Sequence, residues 1–305
     1  MKIVLHLGAH RSASTTFQRY ARAEASALQG RNIGFWGPCR TRKGLFHGIA
    51  EGGRDRDRGR VRLAAERVAS CGIETLLISD ENMVGTMRRN IRTAELYPDI
   101  GQRLARFGAA FGPVTRAVLQ VRSLEMYWAS AMAVSVSRGM GLPYPETLID
   151  LSVRARGWRG VIEDAAAALP ETELVVTTFE NFAARPDRLM ALATDWSDAP
   201  RDRARLWINR SPLRSELAET LAARGVPACA LGPGQGRWTP FTHGQAMALR
   251  ETYQDDLFWL RAGAGGLARY EEDPNGREPA IGRPSASEKR GRYDDGQDRR
   301  LAGSG

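Results

Sequence analysis

Residues 3–16 read IVLHLGAHRSASTT, and this stretch decides the fold. The apolar run IVLHLG (3–8) has the length of a buried strand and stops at a glycine. A polar loop, Ala9 to Ser14, then runs into a helix-like segment from Thr15 to Leu28. In an open parallel sheet, ligands gather at the carboxyl ends of the strands, and a loop entering a helix offers unpaired backbone N–H groups to an anion. Ala13 and Ser14 are small enough for close backbone approach, the hydroxyls of Ser14, Thr15 and Thr16 can donate, and Arg11 supplies a cation inside the loop.

The same alternation continues outward. Short apolar strands are expected at 33–36 (IGFW), 74–79 (ETLLIS), 116–121 (RAVLQV) and 173–178 (ELVVTT). Helical patterns lie between and after them, at about 61–71, 92–110, 123–138, 146–156, 157–168, 186–195, 212–224 and 243–262. Strands that alternate with helices and are apolar throughout predict a three-layer α/β/α fold, a central parallel sheet covered on both faces, with a helical C-terminal part. The expected division is one α/β domain over 1–270 and a disordered, Gly-, Pro- and charge-rich tail over 271–305.

Composition narrows the function classes. With 305 residues, 42% of them hydrophobic, the chain can bury a sizeable core. No apolar run approaches the roughly 20 residues of a membrane span, and the first residues do not have the form of a signal peptide, so a cytoplasmic protein is the expectation. Cys39, Cys71 and Cys229 lack paired spacing, which argues against a disulfide framework or a zinc site. The net charge of +9 raises the question of an anionic partner, although nearly all of the basic residues are arginine, a bias that genome composition alone produces. Arginine's rigid fork suits phosphate and sulfate, so individual positions carry more information than the sum.

The loop departs from the nucleotide triphosphatase pattern GxxxxGK[ST] at two places, with Ala13 in place of the second glycine and Ser14 in place of the lysine. Arg11-Ser12-Ala13-Ser14-Thr15 instead resembles the 5′-phosphosulfate loop, [KR]-[ST]-G-[ST]-[ST], of the sulfotransferases that use 3′-phosphoadenosine 5′-phosphosulfate (PAPS), with alanine replacing glycine. The preceding His6-Leu-Gly-Ala-His10 is similar to the HxGxH variant of bacterial members. A second match is Arg122, directly after RAVLQV, with Ser130 eight residues on, which resembles the family's 3′-phosphate motif. An arginine fork takes two phosphate oxygens there, and the serine, about two helical turns along, offers a hydroxyl from the same side. A softer likeness covers ELVVTT with Phe179-Glu-Asn-Phe182 and the late YQDDLFWL (253–260).

This resemblance runs over about residues 2–262. It implies a P-loop-type fold and an enzyme that moves the sulfuryl group from PAPS, a co-substrate, to a hydroxyl or amine of a carbohydrate, lipid or small metabolite, without a metal. The cofactor-binding set it implies is His10, Arg11, Ser12, Ala13, Ser14, Thr15, Thr16, Arg122, Ser130 and Arg237. Arg210 is a further candidate for the 3′-phosphate, and Trp238 or Phe241 for clamping adenine. Arg11 is also a catalytic candidate, stabilising charge on the leaving phosphate and sulfuryl oxygens. For the base, Glu81 just past ETLLIS is the first choice, Asp80 a close competitor and His47 the runner-up. Two other readings stay open: a kinase on a similar fold, with Asp80 holding a metal, or a non-catalytic polyanion-binding protein using Arg88, Arg89, Arg92, Arg103 and Arg106. No nucleic-acid partner is expected. An anionic glycan or lipid is among the acceptors, and neither acceptor identity nor oligomeric state is written in the sequence.

Overall fold

In the computed structural model, the described residues are 1–153, 156–205 and 209–272. The first half runs β1 (Lys2–Gly8), α1 (Ser14–Ala23), α2 (Ala25–Gln29), β2 (Ile33–Trp36), α3 (Pro38–Arg40), a wide turn at Thr41–Leu45, α4 (Asp55–Ser70), β3 (Thr75–Ser79), a 3-10 turn at Glu81–Met83, α5 (Met87–Thr93) and α6 (Ile100–Phe111). The second half runs β4 (Arg116–Val121), α7 (Leu124–Ser137), α8 (Pro145–Val153), α9 (Trp158–Ala168), β5 (Glu173–Thr178), α10 (Phe179–Phe182), α11 (Pro186–Thr194), α12 (Arg214–Ala222), α13 (His243–Arg261) and β6 (Arg269–Glu271).

The six strands form one sheet in the order β2-β3-β1-β4-β5-β6, and every pairing is parallel. Their side chains divide by the two-residue period of a strand. Ile3, Leu5 and Leu7 of β1, with Ala117, Leu119 and Val121 of β4, enter the larger core. Val4, Val118 and Val175 enter the smaller one, beneath Phe17, Tyr20 and Ala21 of α1 and Leu189 and Met190 of α11. Layers on both faces, as the apolar strands required, are the outcome.

The chain after β1 therefore crosses one face of the sheet, while the chain after β4 enters α7 on the other. At neighbouring strands β1 and β4 this divergence marks a switch in the topology, and open α/β sheets take ligands at the carboxyl ends of such strands. Helix α7 is buried almost all round, from Leu124 to Val136, as a helix apolar on every side must be. Its N-terminal end is tied down by the Trp158 indole, whose Nε1 donates to the carbonyl oxygen of Arg122 at 2.6 Å. Asp256 in turn accepts the N–H groups of Trp158 (2.6 Å) and Arg159 (3.1 Å), capping α9.

Three differences from the sequence expectation have local causes. The helix expected over 15–28 breaks at Glu24, which separates α1 from α2. The helix expected over 92–110 is two, because Ala94 takes a left-handed conformation (φ 50°) and ends α5. A sixth strand, β6, pairs with Val175–Thr177; three residues of mixed polarity give no periodic signal. The tail expected over 271–305 lies, from residue 273 on, outside the described residues. No helix among the described residues is long and apolar enough to cross a membrane.

Candidate functional site

Gly8 closes β1 with φ 86°, and a Cβ built there would lie 2.8 Å from Cβ of Glu81. A glycine is needed because the loop passes directly over Glu81, two residues past the end of β3. The loop then reaches α1 through two non-glycine residues in left-handed conformations, Arg11 (φ 60°) and Ala13 (φ 65°, ψ 18°). Ala13 is the N-cap, with no side-chain cap and no acidic residue in the first turn of α1. The first N–H groups of α1 thus have no intrahelical acceptor and sit at the positive end of the helix dipole. Of the hydroxyls expected to face a ligand, that of Ser14 is spent inside the loop, donating to the carbonyl of Ala9 at 2.8 Å beside that of Ser12 at 2.6 Å. Thr15 Oγ1 accepts from Asn209 Nδ2 at 3.4 Å, and Thr16 is buried.

Directly after β4, Arg122 is 4% exposed, and its Nη1 donates to the carbonyl oxygen of Arg11 at 2.6 Å. Its guanidinium carbon lies 4.1 Å from the centre of the Phe179 ring, and its buried Nε has no hydrogen-bond partner. Arg11 donates from Nε to Ser130 Oγ (2.8 Å) and from Nη2 to Ser211 Oγ (3.2 Å) and the carbonyl of Asn209 (2.9 Å). The Ser130 and Ser211 hydroxyls are themselves 2.5 Å apart. Neither arginine has an ion pair among the described residues. Ser130, expected beside Arg122, is bonded instead to Arg11.

The electrostatics follow from this packing. Burial, with Arg11 and Arg237 nearby, pulls Arg122 down to about 9, only partly countered by Glu180. Burial, with Arg138 and Arg237, brings Arg11 down to about 10. Arg237 is itself lowered by burial. Arg11, Arg122 and Arg237 thus sense one another here, with Glu81 and Glu180 opposing the effect only in part.

The carboxylates beyond β3 are held differently. Arg42, from the wide turn after α3, donates to Asp80 Oδ1 (2.7 Å) and Glu81 Oε1 (2.9 Å). Asp80 also accepts from Thr41 Oγ1 (2.5 Å) and from the N–H of Asn82 (3.0 Å), so the carboxylate on which a metal-holding kinase site depended is already engaged. Gln18 Nε2 donates to Glu81 Oε2 at 2.8 Å. Burial alone would raise Glu81, but Arg42 and His10 prevail and hold it at about 2. An ionised carboxylate this acidic is a weak proton acceptor. His10 is buried beside it, Nδ1 at 3.0 Å from the Tyr97 hydroxyl and Nε2 at 3.1 Å from Asn82 Oδ1. Burial lowers its pKa, against the opposing pull of Glu81.

His47 stands apart from the loop. It is exposed and borders a cavity of about 230 Å³ whose other walls include Thr41, Arg42, Phe46, Asp80, Asn82 and Arg103. Asn82 is therefore shared between this cavity and His10 of the loop. Two expectations for the late segment change. Trp238, 4% exposed, is a core residue, and Phe241 packs against that core, so neither stands out as an adenine clamp. Arg210 is paired with Glu216 (2.8 Å). Of the arginines considered as a polyanion surface, Arg89 pairs with Asp99, while Arg103 and Arg106 donate to backbone carbonyls, both reaching that of Ala50.

The sequence reading missed Arg42, Ser211, Asn209 and Tyr97, and took Phe179 only as part of a structural likeness, not as a contact of Arg122. Comparison with family models, curated proteins and solved structures finds no match for the chain.

Proposed function

We propose that the protein is a sulfotransferase that takes the sulfuryl group from PAPS to a hydroxyl or amine acceptor, and that the loop after β1 acts as its 5′-phosphosulfate loop. The observation that carries this reading is Arg122: a buried guanidinium with no carboxylate partner among the described residues, bonded to the backbone of the loop that holds Arg11. A buried cation left unpaired is costly unless a ligand supplies the counter-charge. A compound with an anionic group at each end of an adenosine would supply two, one at Arg122 and Arg237, one at Arg11 and the N–H groups of α1.

In the reaction, the acceptor oxygen forms a bond to sulfur as the bond from sulfur to the 5′-phosphate oxygen breaks. Adenosine 3′,5′-bisphosphate leaves, and the acceptor's proton passes to a base. Arg11, held by Ser130 and Ser211, stabilises charge on the leaving and equatorial oxygens in this reading. For the base, Glu81 is locked by Arg42 and Gln18 and strongly acidic, which favours His47, whose imidazole borders the cavity next to Asn82.

The test is calorimetry of adenosine 3′,5′-bisphosphate with no divalent metal added. Wild type is expected to bind. Arg122→Ala and Arg11→Ala are each expected to bind about 100-fold more weakly, the loss of one or two charge-assisted hydrogen bonds. Absence of any heat of binding to wild type overturns the reading.

A further inference from the structure

The wide turn Thr41–Leu45 borders two cavities. Thr41 and Arg42 line the His47 cavity, and Leu45 lines an open groove of about 510 Å³ along α4. Its floor is aliphatic, made by Leu45, Ala64 and Leu63, the last 57% exposed. Arginines 56, 60 and 67 form the walls. Arg60 is fixed, paired with Asp57 and donating to the carbonyls of Leu45 and His47, so it ties the groove to the turn. Arg56 and Arg67 have no side-chain hydrogen bond or ion pair among the described residues, and no acidic residue lines the groove.

From this pairing of aliphatic floor and unspent cations we infer that the groove binds an anionic amphiphile, a molecule with an aliphatic chain and a carboxylate or similar head. The volume falls within the roughly 300–1,000 Å³ of small-molecule pockets. Leu63 exposes apolar surface that an aliphatic chain covers favourably. An acidic sugar polymer fits less well, since the groove offers neither an aromatic platform nor a side-chain amide to match sugar hydroxyls. Arg60, through the carbonyls of Leu45 and His47, ties the groove to the turn that carries Arg42. Only in naming this molecule the sulfuryl acceptor does the inference rest on the proposed function; the binding site itself does not.

The experiment is calorimetry of the full chain with 12-hydroxydodecanoate, with the neutral 1,12-dodecanediol and with oligogalacturonate, in parallel with adenosine 3′,5′-bisphosphate. The hydroxy acid is expected to bind about tenfold or more tightly than the diol and to weaken as salt rises. The surface variant Arg56→Glu/Arg67→Glu and, separately, Leu63→Glu are expected to reduce its affinity about tenfold while leaving the bisphosphate affinity unchanged. Equal binding of acid and diol, indifference to both variants, no binding of the acid, or tighter binding of oligogalacturonate overturns the inference. Binding of the hydroxy acid that depends on Arg56 and Arg67, with no binding of the bisphosphate, keeps the groove and removes the transferase.

Discussion

Arg122 and Arg11, from the tips of neighbouring parallel strands, are joined by one hydrogen bond, Arg122 Nη1 donating to the Arg11 carbonyl oxygen at 2.6 Å. The bond runs from a buried cation to the backbone of a second cation's loop, so it positions charge without neutralising it.

Removing that charge separates stability from binding. Arg122→Met replaces an uncompensated buried guanidinium by an apolar chain of similar length, and is expected to stabilise the free protein by about 1 kcal/mol or more. Urea denaturation with and without adenosine 3′,5′-bisphosphate checks this: the bisphosphate raises the midpoint of wild type and raises that of the variant much less.

Ala13 holds a conformation that glycine adopts freely. Its φ of 65° costs an L-residue roughly 1–2 kcal/mol, of which glycine's extra unfolded-state entropy returns about half. Ala13→Gly is therefore expected to stabilise the protein by about 0.5–1 kcal/mol in chemical denaturation. An unchanged or lowered midpoint would show that the loop relaxes around the methyl group.

Glu81 sets an acid limit on stability. Its folded pKa, about 2, lies below the ordinary 4.5, so the unfolded chain binds the proton more readily and the contribution is present in full above pH 4.5. It is lost as pH falls from 4.5 through about 2. By linkage the full contribution is about 3 kcal/mol. Thermal unfolding of wild type and Glu81→Gln between pH 2 and 7 should show a gap that narrows over this interval.

Asp256 gives the opposite slope. Burial, outweighing the N–H bonds from Arg159 and Trp158, lifts it to about 6, so the folded state holds the proton more tightly than the unfolded one. Stability from this residue is greatest below pH 3.8 and declines as pH rises through about 6. Asp256→Asn, which keeps an oxygen for capping α9, should flatten the profile between these values.

His47 is tested by turnover. His47→Asn is expected to lower kcat with a sulfuryl donor by about 10²–10⁴-fold and leave bisphosphate affinity intact, the mark of a lost general base. Glu81→Gln carrying the larger kcat loss would reverse the order of the two candidates.

Five of the six strands were legible because each of these is a short apolar run bounded by polar residues, and β2, β4 and β5 fall on the expected residues. The association of Arg11 with Arg122 followed from placing both at carboxyl ends of parallel strands. What bonds to what was less legible. Ser130 is spaced from Arg122 by two helical turns, yet the burial of α7 turns its hydroxyl to Arg11 and Ser211. Arg42 comes from residues 38–45, a segment without periodicity, and its grip on Asp80 and Glu81 arises only where that turn packs over β3. Asn209 and Ser211 lie some eighty residues beyond Ser130 in sequence; no local pattern announces such a contact.

The strand order has one more effect, on self-association. The sheet's outermost members are β2, four residues long, and β6, three. A foreign chain seeking to extend the ladder would find only a brief template at either flank, while the longer strands β1, β4 and β5 are sealed inside. Protection against edge-to-edge aggregation is thus built into the topology, with no need of a proline or a guarding lysine.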